Sequence, residues 1–221
     1  MLDGVRGRGA AVLPAALRAW LGVTAALAAL VVVVLGVLFA GASGPGRVDQ
    51  RVFGVVDGVG PSWRPFADAT DFLGEPYGAA ALVGTGVLGC LLLRRPRAAV
   101  LVVAGTGTAV VATKLLKPLV GRTIHGGHLA FPSGHTAFLT AFAIVAALLA
   151  TGRLGLGRTA GLSLVLTAAL AAGAAMGWAQ VVLGAHYPTD TLGGWFTALA
   201  VVPATAWAID GIADARRPDR R

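Results

Sequence analysis

The chain has 221 residues, 56% apolar and 13% charged, with a net charge of +8. Soluble domains are about 45–50% apolar and about 25% charged, and a chain of this length leaves too much surface exposed to hide the excess. With a mean hydropathy of +0.77, the composition excludes a soluble enzyme, a disordered tail and a secreted disulfide scaffold.

A membrane-spanning helix needs about 20 mostly apolar residues. Six segments meet that need: 19–40, 77–93, 98–116, 133–150, 159–183 and 191–208. The first is too long for a signal peptide and lacks a small-residue cleavage pattern, so it reads as a retained anchor. Several are rich in Gly and Ala, which let helices approach closely in lipid. Cys90 stands alone in the second and reads as a buried small hydrophobe. Between the first two runs, segment 41–76 carries Asp49, Asp57, Asp68, Asp71 and Glu75, with Phe53, Trp63 and Phe66 among them and Gly and Pro breaks. It reads as short amphipathic helices on the membrane surface, or as a plain extracytoplasmic loop. The expected fold is all-α: one domain over residues 1–221, six transmembrane helices in one bundle, and short surface helices between the first two.

Sixteen of the eighteen cations are Arg, and Lys114 and Lys117 are the exceptions. With the heavy use of Ala, Val and Gly, this reads as a GC-rich bacterial genome. The cations lie between apolar runs and not in one patch, which argues against nucleic acid. Six spans place twelve of them on one side: Arg6, Arg8, Arg18, Arg94, Arg95, Arg97, Arg153, Arg158, Arg216, Arg217, Arg220 and Arg221. Arg47, Arg51, Arg64, Lys114, Lys117 and Arg122 lie on the other. The excess of positive charge on one side predicts that both termini are cytoplasmic. Loops 41–76, 114–132 and 184–190 then face outward together.

All four histidines, His125, His128, His135 and His186, fall in or beside these outward loops. In Pro132-Ser133-Gly134-His135, Ser133 can cap the fourth run and leave the N–H groups of Gly134 and His135 free. A helix N-terminus binds anions, and His135 is poised there to protonate a leaving oxygen. The same stretch also reads as an ordinary Ser cap. In His186-Tyr-Pro-Thr-Asp190, the spacing lets a carboxylate bond one imidazole nitrogen and leave the other as a nucleophile. It also reads as a turn histidine before a capped helix. His125-x-x-His128, with His135, His186 and Asp190, is a conceivable zinc set. Against it stand the absence of thiolates and the flanking glycines, which leave solvated loop histidines or headgroup contacts.

PSGH followed by H-x-x-x-D, each at a membrane-helix end, resembles the type 2 phosphatidic acid phosphatases. These are also called lipid phosphate phosphatases and are related to the vanadium haloperoxidases. The motifs span residues 114–190. The family pattern is K-x6-R-P, P-S-G-H and S-R-x5-H-x3-D. The second motif is intact. The third keeps His186 and Asp190, but Ala179 and Gln180 stand where the family has Ser and Arg. With Lys117 as the family Lys, the Arg and Pro positions fall on Ile124 and His125, although Lys117-PLVG-Arg122 matches the common opening K-x4-R.

The resemblance implies a bacterial membrane phosphatase acting on a prenyl or glycero lipid mono- or diphosphate at the extracytoplasmic face, without metal or other cofactor. By the same resemblance, His186 attacks phosphorus, Asp190 orients it, and His135 protonates the leaving group. Ser133 and Gly134 hold phosphate oxygens, and Lys117 and Arg122 are expected to stand in for the missing cations. A phosphoryl-type transferase and a non-catalytic phospholipid-binding scaffold are the alternative functions. The expected partners are the lipid phosphate and membrane lipids.

Overall fold

The computed structural model describes residues 11–56 and 61–216. Arg6, Arg8, Asp57, Arg217, Arg220 and Arg221 lie outside them. A 3₁₀ turn, Ala15–Leu17, leads into α1 (Arg18–Leu38), and a second, Pro61–Trp63, lies further along the chain. Two short helices follow, α2 (Arg47–Val56) and α3 (Arg64–Phe72), and then α4 (Pro76–Leu92) and α5 (Pro96–Val120). A small antiparallel hairpin, β1 (Thr123–Ile124) with β2 (His128–Leu129), precedes α6 (Gly134–Leu154), α7 (Arg158–Val182) and α8 (Pro188–Ala215).

Among the described residues, five helical stretches are long and apolar enough to cross a membrane. A sixth span arises if α3 and α4 count as one, bent by 56°. The fold is therefore an all-α, multi-pass membrane bundle with short helices between the first two spans. Proline at the first turn starts α3, α4, α5 and α8, where its missing N–H has no helical partner to lose.

Several helix limits differ from the sequence expectation, and two of the shifts have a clear local cause. α5 does not end near residue 116 but runs through Pro118 to Val120. Proline there removes one N–H···O bond near the helix end, and the helix stops only at Gly121, whose φ of 66° suits glycine. α8 begins at Pro188, ahead of the expected Thr191, because Asp190 accepts the Tyr187 N–H at 3.0 Å and secures the first turn.

The core joins α5, α6, α7 and α8 through Leu101, Ala109, Ala141, Ile144, Leu148, Val165, Ala169 and Val202. Small residues let these helices pack closely, while Leu27, Leu30, Val33 and Val37 of α1 stay exposed, as a lipid-facing stripe requires. At one end of the bundle, the buried Asp210 accepts the N–H groups of Val12 and Leu13, both at 2.9 Å, with Arg18 and Arg97 alongside. At the other end, backbone bonds lace the loops together: Gly41 N–H to Val120 O at 2.8 Å, Thr123 N–H to Ala42 O at 2.9 Å, and Ala130 N–H to Arg122 O at 2.8 Å. The histidines lie at this laced end.

Candidate active site

Ser133 is the N-cap of α6, and its Oγ accepts from the Thr136 N–H at 3.4 Å and the Thr136 hydroxyl at 3.1 Å. That leaves the N–H groups of Gly134 and His135 as helix-terminus donors. The Ser133 N–H donates to the Asp190 carbonyl at 2.9 Å, so the two sequence motifs are joined directly. Gly194 makes the join possible. A Cβ there would run into the Ser133 carbonyl, so only glycine lets α8 approach this closely.

His186 occupies the loop between α7 and α8 and is buried, with Nδ1 3.6 Å from Asp190 Oδ2. That distance sets the carboxylate beside the imidazole but is long for a hydrogen bond. The carboxylate behind it is fully buried. Its Oδ1 accepts from Arg122 Nη1 at 2.7 Å and its Oδ2 from the Tyr187 N–H. Burial pushes the His186 imidazole below the usual histidine value; Asp190 opposes the shift, and Lys117 and His135 add to it. The ring is thus neutral near neutral pH, the form in which imidazole is a nucleophile.

His135, the second residue of α6, lies with Nε2 3.4 Å from Glu75 Oε1 and 3.7 Å from Asp71 Oδ1. Its ring lies against the Gly74 backbone, where any Cβ would meet the ring carbons. Both histidines line one cavity of about 720 Å³ together with Gly134, Lys114, Lys117 and Glu75. Beyond this polar end the cavity is walled by Ala79, Gly107, Val110, Val111 and Phe138 of α4, α5 and α6. A charged headgroup fits one end and an apolar chain the other. A second cavity of about 410 Å³, between α1 and α8 near Arg18 and Trp207, contains no nucleophilic side chain.

The predicted residues divide. His135, His186, Gly134 and Lys117 converge on the cavity. Lys117 Nζ also donates to the Leu129 carbonyl at 2.7 Å. Ser133 and Asp190 are buried just behind it. Arg122, expected to hold phosphate, does not line it. Its side chain is fully buried. Nη1 donates to Thr189 Oγ1 at 2.6 Å and to Asp190, and Nη2 donates to Asp49 Oδ2 at 2.7 Å. Its guanidinium is stacked between Phe39 and Tyr187, at 4.0 and 4.5 Å from the ring centroids. Both terminal nitrogens are engaged with the protein's own oxygens, while Nε has no hydrogen-bond partner.

The altered family positions are equally well defined. Ile124 packs with Ala130 and Tyr187 in a small apolar cluster. Gln180 is buried and donates to Asp71 Oδ1. Asp49, Asp71, Glu75 and Thr189 are the site residues that sequence reasoning missed. The first three were read as acids of segment 41–76, and Thr189 only as part of the motif between His186 and Asp190.

Among the described residues, Asp71, Glu75 and His135 have ligand atoms within 4.8 Å of one another, a spacing that can hold a cation. The zinc set drawn from His125 and His128 does not assemble. His125 Nε2 lies 3.0 Å from the Gly184 carbonyl, and His128 is exposed on the hairpin.

Three comparisons bear on this arrangement. The family model described as the PAP2 superfamily matches residues 77–212. The fold is similar to the crystal structure of a transmembrane PAP2 type phosphatidylglycerolphosphate phosphatase from Bacillus subtilis, with a TM-score of 0.65 at 19% identity. The match covers 89% of this chain and 99% of that one. No curated protein matches the chain in sequence.

Proposed function

Since the chain belongs to the PAP2 superfamily, we propose that it is an integral membrane phosphatase hydrolysing the phosphomonoester or diphosphate of a prenyl or glycero lipid. The observation that carries this reading is the shared cavity. Two histidines, one backed by a buried carboxylate and the other at a helix N-terminus, meet there with Lys114 and Lys117. Its apolar continuation between α4 and α5 suits a lipid chain. The cation asymmetry supports an extracytoplasmic site with both termini cytoplasmic.

In the proposed reaction, His186 Nε2 attacks phosphorus. The bond from phosphorus to the leaving oxygen breaks, and His135 gives that oxygen its proton. Water then attacks the phosphohistidine, passing a proton to His135, and the P–N bond breaks to release phosphate. Phosphoryl transfer needs mainly positioning and stabilisation of charge on the equatorial oxygens. Lys117, Lys114 and the free N–H groups of Gly134 and His135 supply these, with Ser133 holding the helix terminus. No metal takes part in this scheme: a cation on Asp71, Glu75 and His135 would occupy the nitrogen that must carry the proton.

A second reading, a phospholipid-binding protein without turnover, is favoured by Arg122 and Gln180 both being engaged with carboxylates. Phosphate release from phosphatidic acid and prenyl diphosphate in detergent decides between the two. Release that persists in EDTA, is blocked by orthovanadate and is lost in His186→Ala supports the phosphatase. Absence of release from every lipid phosphate supports the binding protein, and loss in EDTA overturns the metal-free scheme.

A further inference from the structure

We propose that Asp49 and Arg122 are positioning residues for the reaction, forming a buried carboxylate–guanidinium–carboxylate chain from helix α2 to the Asp190 behind His186. The proposal rests on the phosphatase reading and adds residues outside the cavity to its machinery.

The argument starts from α2. Its single buried residue is Asp49, a carboxylate with no exposed surface. Its apolar side chains Val48, Val52 and Val55 stay exposed. Phe53 packs edge-on against Tyr187, but Asp49 is the residue of this helix that is fully buried. Burying a carboxylate costs several kcal/mol unless donors satisfy it, and four do so here. Oδ2 accepts from Arg122 Nη2 at 2.7 Å, from the Gly46 N–H at 2.9 Å and from Thr189 Oγ1 at 3.1 Å, while Oδ1 accepts from the Thr189 N–H at 2.9 Å. Two of the four come from Thr189, the neighbour of Asp190.

Arg122 carries the chain onward. A guanidinium presents a rigid fork, and each prong here takes a different carboxylate. With Oδ1 of Asp190 fixed by Arg122 and Oδ2 by the Tyr187 N–H, the carboxylate cannot rotate away from the imidazole. Charge matters as well as geometry. Asp49 balances Arg122, so Asp190 keeps its negative field on His186. The groups facing His186 are Asp190 on α8, Lys117 on α5 and His135 on α6. Removing Asp49 leaves the full Arg122 charge on Asp190 and makes the imidazolium less favourable.

The test uses the full chain in detergent, with Asp49→Asn, Arg122→Lys and, as a control on the same helix, the exposed Arg51→Ala. Asp49→Asn is expected to lower kcat roughly 10- to 100-fold with KM little changed, the scale of losing a group that orients a reactive imidazole from behind. The acid limb of kcat/KM, and the His186 resonance in a 15N-histidine NMR titration, move to lower pH. Arg51→Ala behaves as wild type. If Asp49→Asn does not fold, Arg122→Lys decides, because it keeps the charge but loses the fork, and kcat falls at least about tenfold. Wild-type kcat in either variant overturns the proposal. So does a lower melting temperature with the His186 titration unmoved, because the chain is then only structural. The NMR titration needs no substrate, so it tests the chain even if no lipid phosphate is turned over, an outcome that sinks the phosphatase reading alone.

Discussion

Replacing His135 with alanine removes a proton donor, and the loss depends on what leaves. General acids contribute about 10²–10⁴-fold, which at 1.36 kcal/mol per tenfold is about 2.7–5.4 kcal/mol of barrier. A lipid alkoxide is strongly basic and needs the whole effect, so His135→Ala should lose about 10²-fold or more on phosphatidic acid. Nitrophenolate leaves without help, so the loss on nitrophenyl phosphate should stay within about tenfold. The packing around the ring gives an independent handle. The imidazole lies against Gly74, where a methyl group would meet ring carbons and displace Nε2 from its place near Glu75. Misplacing a catalytic group by about 1 Å can cost about 10²-fold, so Gly74→Ala should show the same substrate pattern with His135 still present. The assay is phosphate release for the lipid and absorbance for the nitrophenyl ester, with kcat/KM compared across both variants. Equal losses on the two substrates would refute the acid role, and wild-type rates in Gly74→Ala would refute the placement of the ring.

Burial lowers the His186 pKa, and the nucleophile must be neutral. Activity should therefore hold below the ordinary histidine range and fall only as pH drops through the lowered value; an acid limb at or above about 6.5 contradicts this. Gln180→Arg restores a cation beside Asp71 and should lower KM for the lipid phosphate, by about tenfold if it reaches the phosphate; an unchanged or raised KM means that position 180 serves only α3. In a Cys90→Ala background, His128→Cys should label with an impermeant thiol reagent from outside and Arg153→Cys should not; the reverse pattern overturns the orientation.

Much of the fold was legible because long apolar runs leave few options in lipid, and the helix limits moved by only a few residues. Residue 116 was too early an end for α5, since proline near a helix end is tolerated. His135, His186 and Asp190 were legible because each stands at a helix end, where spacing along the chain becomes spacing in space. Arg122 was not. A sequence shows its charge but not which of five acids in segment 41–76 turns inward, and Asp49 lies 73 positions away. The same blindness hid Asp71, which reaches Gln180 across 109 positions. Nothing local marks a carboxylate on a surface helix as buried, since the sign that it is paired lies in another segment.

Trapping the phosphorylated enzyme tests the central claim most directly. His135→Ala is the form to use, because it lacks the group that activates water and should accumulate the intermediate when given nitrophenyl phosphate carrying radiolabelled phosphorus. After an alkaline quench and digestion, the account predicts label on the peptide containing His186, stable to base, lost in acid, and absent from the His135→Ala/His186→Ala double variant. Turnover without any bound label, or label that persists when His186 is gone, would contradict it.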